Sequence, residues 1–147
     1  MYKKILVPLD GSELAECVLE HVKDIARGCD TSEVALLFVA EPAPSGLYQS
    51  SAEVKEKLLS WGKKALARAE KILTAGDVKV KSHVLEGKAA ETIVDYAVQN
   101  DIDLIIMATH GRSGPSRWAL GSVAEKVTRS STVPVLIAPP QECRRTG

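Results

Sequence analysis

The sequence predicts an α/β domain built on a five-stranded parallel sheet, in the strand order 3-2-1-4-5, with helices on both faces. Five short apolar runs are separated by segments whose apolar residues recur at helical spacing. Strands that alternate with helices in this way are typical of a parallel sheet, and right-handed crossovers leave few strand orders. The first and fourth runs, Ile5–Leu9 and Leu104–Ala108, are the most apolar, and this order places both at the centre.

The other elements follow from the same patterns. They are predicted as a helix over 13–27, a strand over 34–39, a long helix that begins near a Ser50–Glu53 capping box and ends at Gly76, a strand over 78–84, a helix from 90 to about 100, a helix over 122–129 and a strand over 135–138. The strand over 78–84 alternates polar and apolar residues, which predicts an edge position that is partly solvated.

Composition narrows the class of protein. The 147 residues suit one domain, expected over 1–140, with a polar tail over 141–147 that is expected to be disordered. The 19 basic and 19 acidic residues balance, which argues against a nucleic-acid partner. Three cysteines without a CxxC pair disfavour a disulfide framework or a zinc site. The apolar runs are too short for a signal peptide or a membrane span, so we expect a cytoplasmic protein without a membrane partner.

The predicted topology itself points to a binding site. In the order 3-2-1-4-5 the winding reverses between the first and fourth strands, and ligands bind beyond the carboxyl ends of the strands at such a reversal. Those ends are Pro8–Asp10 and Met107–Thr109. About a dozen Gly-, Ser- and Arg-rich residues follow the fourth strand, whereas connections in α/β units usually need about 2–6 residues.

This long loop has the features of an anion site. Its small residues Ala108, Gly111, Gly114 and Gly121 allow a ligand to approach the backbone closely. Gly121-Ser122 opens the last helix, so the free N–H groups of Ser122, Val123 and Ala124 face a positive helix end. The Ser122 hydroxyl and the charges of Arg112 and Arg117 would add to phosphate binding.

Each of these residues also has a structural explanation. Ser122 with Glu125 forms an S-x-x-E pattern, which a capping box alone would explain. Asp10, in PLDGS, is suited to meet a ribose or a base or to hold a metal ion, and equally to a turn that leads into Ser12. His110 could contact a phosphate or bond the loop backbone. These alternatives stay open at the level of sequence.

No catalytic centre is predicted. The Walker A pattern and GxGxxG are both absent, which disfavours P-loop hydrolases and ordinary dinucleotide dehydrogenases. Spacing supports no Ser/His/Asp or Cys/His arrangement. His21 falls on the apolar face of the first helix and is expected in the core, and His83 is expected to be exposed on the edge strand.

The chain resembles the universal stress protein family over about residues 1–140. The resemblance rests on KKILVPLDGS at 3–12, LLFVAEP at 36–42, DLIIMATHGRSG at 103–114 and LGSVAEKVTRSSTVPVLIAPP at 120–140. The nucleotide-binding branch of that family carries G-x2-G-x9-G-[ST]. Here Ala108 stands at the first position, followed at the motif's spacing by Gly111 and Gly121-Ser122. The added methyl group would crowd a phosphate if the backbone at Ala108 needed a positive φ.

The resemblance implies a Rossmann-like three-layer domain that binds ATP between the first and fourth strands. It implies that Pro8, Leu9 and Asp10 border the adenine and ribose with Val39 beside the base, that Met107, Ala108, His110, Gly111 and Arg112 line the path from ribose to phosphate, and that Gly121, Ser122, Val123 and Ala124 cradle the phosphates. It also implies a homodimer through the fifth strand, Val133 to Ala138. Without a partner, the apolar edge of this strand would be prone to aggregation.

Function is therefore predicted as a dimeric, ATP-binding regulator of the stress response that acts on a protein partner not identified by the sequence. Mg²⁺ or Mn²⁺ is the metal ion considered with ATP, and hydrolysis is expected to be slow at most, because no base for water is evident. Two alternatives remain. One is an AMP or cyclic AMP binder, and the other is a dimeric interaction module without nucleotide, which retention of Gly111, Gly121 and Ser122 disfavours.

Overall fold

A computed structural model describes residues 1–12, 18–41, 52–74, 78–109 and 121–139. The elements in these ranges are β1 (Lys4–Leu9), α1 (Leu19–Cys29), β2 (Glu33–Ala40), α2 (Ala52–Thr74), β3 (Lys79–Glu86), α3 (Ala89–Gln99), β4 (Leu104–Ala108), α4 (Ser122–Ser130) and β5 (Val135–Ala138). The five strands form one parallel sheet in the order β3-β2-β1-β4-β5, which confirms the predicted fold class and strand order.

Side chains of the sheet build two separate cores because successive residues of a strand point to opposite faces. On one face Ile5, Val7 and Leu9 pack with buried residues of α1 and α2. On the other face Leu6 and Met107 pack with buried residues of α3 and α4. The result is the three-layer architecture expected of a sheet whose helices cover both faces.

The edge position predicted for the third strand is confirmed. All eight residues of β3 pair with β2, and their exposure alternates along most of the strand. Val80, Ser82 and Val84 are half-buried, whereas Lys79, Lys81 and His83 are exposed. The alternation seen in the sequence therefore reflects a strand with one covered face and one open face.

The first helix ends two residues later than predicted. Within the described residues it covers Leu19–Cys29, and residues 13–17 of the helix predicted over 13–27 lie outside them. It continues to Cys29 because the chain terminates the helix with Asp30 in the left-handed conformation, at φ 52°, and not with Gly28. The capping box at Ser50 and the stop at Gly76 also lie outside the described residues.

Hydrogen bonds at the amino-terminal edge of the sheet fix the position of β1. The backbone N–H groups of Lys3 and Lys4 both donate to Asp103 Oδ2, at 3.0 and 2.9 Å. The Thr31 hydroxyl, on a residue that is 8% exposed, donates to the Tyr2 carbonyl at 2.6 Å. These bonds tie the start of β1 to the segments that lead into β2 and β4. The predicted binding site lies at the opposite, carboxyl edge of the sheet.

Candidate functional site

The central strands separate as they approach the carboxyl edge of the sheet. The register between β1 and β4 covers Ile5 opposite Leu104 and Leu6 opposite Ile105. By contrast, β1 stays paired with β2 to Leu9, and β4 stays paired with β5 to Ala108. The pairing of β1 with β4 therefore stops before either strand ends, at the reversal where α/β sheets bind ligands, and we refer to the region between these two strand ends as the crevice.

One wall of the crevice is the turn that follows β1. Asp10 is half-buried, and its Oδ1 accepts a hydrogen bond from the Ser12 N–H at 2.8 Å. Gly11 between them has φ 85°, a conformation that side chains rarely adopt. The turn interpretation of Asp10 is thus confirmed. A carboxylate has about four lone-pair sites, so this bond is compatible with a second role towards a ligand.

The opposite wall is a junction of three elements. Thr109, directly after β4, donates from its N–H to the Ala138 carbonyl at 3.1 Å and from its hydroxyl to the same oxygen at 3.3 Å. The Thr109 carbonyl in turn accepts from the Gly121 N–H at 2.7 Å. The two ends of the long loop are therefore joined directly, and the start of α4 is held against the ends of β4 and β5.

The amino terminus of α4 does not have the predicted capping box. Gly121 is the N-cap residue, at φ −59° and ψ 153°, and as a glycine it has no side chain of its own to cap the helix. Ser122 lies one position inside the helix and is exposed. Glu125 instead pairs with Arg129 at 2.9 Å, one turn further along. The capping-box interpretation of Ser122 and Glu125 is therefore wrong, because the helix begins one residue earlier than that pattern requires.

The neighbouring helix on the same face is capped in a way that the sequence did not reveal. Glu41, directly after β2, accepts a hydrogen bond from the Ala89 N–H at the start of α3 through Oε1, at 2.9 Å. A carboxylate at a helix amino terminus satisfies a free donor and complements the helix dipole. The sequence distance of 48 residues explains why local patterns could not find this pair.

The other predicted site residues in the described ranges lie towards the carboxyl ends of β1, β2 and β4 and in the first turn of α4. Pro8 and Leu9 are buried at the end of β1, and Met107 is buried at the end of β4. Val39 is half-buried and packs on the same face as Met107. Val123 is half-buried and Ala124 is buried, so α4 is anchored in the core by its first turn. His110, Gly111 and Arg112 lie outside the described residues, as do Gly114 and Arg117.

Ala108 occupies a backbone conformation that any residue can adopt. It is the last residue of β4, half-buried and paired with Ala138. The non-glycine residues with positive φ in the described ranges are Asp30 and Asp101, at the opposite edge of the sheet. The methyl group at this motif position therefore causes no backbone strain.

The two histidines outside the loop do not belong to the crevice. His21 is half-buried on α1, so its predicted core position is wrong: the buried face of that helix consists of Leu19, Val22 and Ala26. His83 is exposed on β3, as predicted, with its ring 5.7 Å from that of Tyr96. Burial, and secondarily the charge of Glu33, raises the pKa of Tyr96 above its usual value.

Comparison with known proteins agrees with this fold and its arrangement of strand ends. The family model described as the universal stress protein family matches residues 1–139. The chain belongs to the universal stress protein family. The match covers every strand and helix that the structure describes.

Individual universal stress proteins resemble the chain over nearly its whole length. Universal stress protein MJ0531 of Methanocaldococcus jannaschii is 38% identical over 140 residues, which is 93% of this chain and 82% of the relative. The solved structure of MJ0577, from the same organism, is 37% identical with a TM-score of 0.85 and covers 95% of this chain and 96% of its own. The structure of UspA from Lactobacillus plantarum is 26% identical with a TM-score of 0.80, covering 92% and 97%.

More distant structures of universal stress proteins contain nucleotides. One was solved in complex with cAMP (21% identical, TM-score 0.68), one from Archaeoglobus fulgidus in complex with dAMP (24%, 0.66) and one from Arabidopsis thaliana with AMP bound (18%, 0.69). Each covers more than 90% of this chain and of its own. At these identities the likeness extends to the fold. Among the described residues, no helix is long and apolar enough to cross a membrane.

Proposed function

We propose that this universal stress protein binds ATP in the crevice between β1 and β4 and acts as a homodimeric, cytoplasmic regulator of the stress response. The observation that carries the proposal is the start of α4. Its amino terminus lies beside the end of β4 and is held there by the Gly121–Thr109 hydrogen bond, and its N-cap residue is a glycine, which has no side chain to occupy the free N–H groups. Nucleotide occupancy would act through the loop after β4, by changing a surface that partners meet.

The phosphate end of the proposed site consists of backbone N–H groups. The first N–H groups of a helix have no partner inside it, and together with the helix dipole they favour an anion. Ser122 adds an exposed hydroxyl at this point. The contrast with α3 supports the assignment, because there Glu41 already supplies a negative oxygen to the helix start.

The nucleoside end of the proposed site is apolar with one carboxylate. Leu9, Val39 and Met107 would border the adenine ring, whose faces favour apolar contacts. Asp10 would accept a hydrogen bond from a ribose hydroxyl or from the base. An Mg²⁺ or Mn²⁺ ion that accompanies ATP would take oxygen ligands from the phosphates, and Asp10 is a carboxylate at the same edge.

ATP is proposed in preference to a monophosphate because of the loop. The spacing from Gly111 to Gly121-Ser122 matches the nucleotide-binding branch of the family, and we propose that a loop of this length accommodates three phosphates. The complexes of more distant members with AMP, dAMP and cAMP favour AMP or cyclic AMP as the second candidate. Hydrolysis of ATP, if it occurs, is proposed to be slow, since the proposed contacts hold the phosphates and activate no water.

The direct experiment identifies the ligand that the protein carries and then measures its affinity. Freshly purified protein is denatured, and released nucleotide is identified by chromatography and mass spectrometry. Nucleotide-free protein is then titrated calorimetrically with ATP, AMP and cyclic AMP. ATP bound near one per chain, with the lowest Kd, would support the proposal. Tighter binding of AMP or cyclic AMP would favour the second candidate, an AMP or cyclic AMP binder. If none of the three nucleotides binds, the result would favour a dimeric interaction module without nucleotide.

Substitution of Gly121 by Val tests the phosphate end. The backbone at Gly121 (φ −59°) is open to any residue, so the fold should survive while the branched side chain crowds the phosphate path. We expect the Kd for ATP to rise about tenfold or more, equivalent to about 1.4 kcal/mol. The matched control is Gly28→Val, at an exposed position near the opposite edge of the sheet, which should leave the Kd unchanged. An affinity within twofold of wild type for Gly121→Val would refute the assigned cradle.

A further inference from the structure

Trp61 of α2 packs against the turn that carries Asp10. A Cβ atom built on Gly11 would lie 2.9 Å from Trp61 Cζ2 and 3.0 Å from Cε2, so the six-membered part of the indole covers this glycine. Gly11 also has φ 85°. Backbone conformation and the indole therefore both require glycine at this position, and the indole restricts how the turn can move.

The indole is itself held in place by the sheet. Its ring meets Phe38 edge to face, with centroids 6.2 Å apart and planes at 76°. Phe38 is 1% exposed and lies opposite Leu9 in the β1–β2 register. The next residue of the helix, Gly62, is so close to Phe38 that a Cβ there would overlap the phenyl ring. A rigid contact thus runs from β2 through Trp61 to Gly11.

Trp61 is also not fully enclosed in the core. The residue is half-buried, and with Lys57, Ser60 and Lys64 it lines an open surface cavity of about 470 Å³. Trp61 lies one turn before Ala65 and two turns before Ala69, on the face of α2 that covers the sheet, and it packs against the same core. Its position near the start of this face puts the indole between Phe38 and the turn.

We infer that Trp61 is a positioning residue for the nucleotide site: by packing on Gly11 it holds the Asp10 carboxylate in the orientation that meets the nucleoside end of the ligand. The inference rests on the proposed function. The Asp10–Ser12 hydrogen bond fixes the carboxylate relative to the turn, and the indole fixes the turn relative to the sheet. Loss of either contact leaves Asp10 present but badly oriented, and a small displacement of a binding group weakens binding markedly.

A double-mutant cycle on the full-length protein tests this inference, with the Kd for ATP as the readout. Trp61→Phe keeps an aromatic ring beside Phe38 but removes the part of the indole that reaches Gly11. We expect it to raise the Kd about fivefold in the wild-type background and less than twofold with Asp10→Ala, because coupled residues are non-additive. Asp10→Asn, which keeps a side-chain oxygen for the Ser12 N–H, replaces Asp10→Ala if the latter is unstable.

Leu73→Ala is the control for a general loss of stability. Leu73 is 3% exposed and lies three turns further along the same helix, near the opposite edge of the sheet. This variant should lower the melting temperature at least as much as Trp61→Phe and leave the Kd unchanged. Equal effects of Trp61→Phe on ATP binding with and without Asp10, or no effect at all, would overturn the inference while the proposed function stands. If wild-type protein binds no adenine nucleotide, both fail.

Discussion

At the scale of single residues, two helical glycines have opposite surroundings. Around Gly62 of α2 the phenyl ring of Phe38 occupies the place where a side chain would begin. Around Gly28 of α1, apart from its own helix backbone and chain neighbours, no atom of the described residues lies within 4 Å of the same position. Helix propensity alone predicts the same change in stability for both glycines. Substituting each of them therefore separates the effect of helix propensity on stability from the effect of packing.

Alanine at these two positions should therefore have opposite effects on stability. Gly28→Ala should raise the free energy of unfolding by about 0.5–1 kcal/mol, because alanine loses less conformational freedom in a helix. Gly62→Ala should lower it by about 1–3 kcal/mol, because the methyl group forces α2 away from Phe38. Urea unfolding curves measure both. A stabilised Gly62→Ala variant would contradict the close packing of α2 on β2.

At the scale of elements, the two helices that start at the site edge are terminated differently. Glu41 caps α3 although it lies 48 residues before Ala89, whereas the N-cap residue of α4 is a glycine without a side chain. Both helices pack on the same face of the sheet, so they differ in the group at the helix start and not in their position relative to the sheet. We interpret the cap on α3 as structural, and the start of α4 is the proposed phosphate site.

Removing the cap of α3 should affect stability and not nucleotide binding. Glu41→Ala removes the acceptor for the Ala89 N–H and should lower the free energy of unfolding by about 1 kcal/mol. Glu41→Gln keeps a carbonyl acceptor, so its free energy of unfolding should fall by less than half as much. Chemical denaturation gives the stability and calorimetry the Kd for ATP. If Glu41→Ala weakened ATP binding tenfold without loss of stability, Glu41 would belong to the site.

At the scale of the whole molecule, the two edges of the sheet differ in how they are protected. The outer edge strand β3 presents Lys79, Lys81 and His83, and charged side chains discourage edge-to-edge pairing. The other edge strand, β5, reads Val-Leu-Ile-Ala with no charge. The Ile105 N–H donates to the Pro134 carbonyl, and the Thr109 N–H donates to the Ala138 carbonyl, so Pro134 and Ala138 face β4. Successive residues of a strand direct their N–H and C=O groups to opposite sides. The N–H and C=O groups of Val135 and Ile137 therefore point to the open edge.

The proposed dimer through Val133–Ala138 is tested at this edge. Wild-type protein should have a mass of twice 15.8 kDa in light scattering or sedimentation. Ile137→Lys should shift it to the monomer, because it brings two like charges to a two-fold interface. Leu85→Lys, on the β3 edge, is the matched control and should remain dimeric. A monomeric wild type, or a dimeric Ile137→Lys variant that keeps its circular dichroism spectrum, would contradict the proposal.

Local sequence patterns were sufficient for most of the fold. The apolar runs and the helical spacing located the five strands and the helices of the described residues. The rule on crossovers, together with the central placement of the two most apolar strands, then gave the strand order, which the sheet confirms. Local patterns were insufficient at the helix ends, since α1 continues past its predicted end at Arg27 to Cys29, and Gly121 rather than Ser122 is the N-cap of α4. Such ends depend on single backbone dihedral angles, which hydrophobic periodicity does not encode.

The sequence by itself determined the fold class, the family and the two strand ends at which a ligand would bind, because these depend on patterns repeated over many residues. Only the tertiary structure decided how the site is built. The separation of β1 from β4, the Thr109–Gly121 link, the Glu41 cap on α3 and the packing of Trp61 on Gly11 each join particular atoms. Most of these atoms are distant along the chain, and folding alone brings them together.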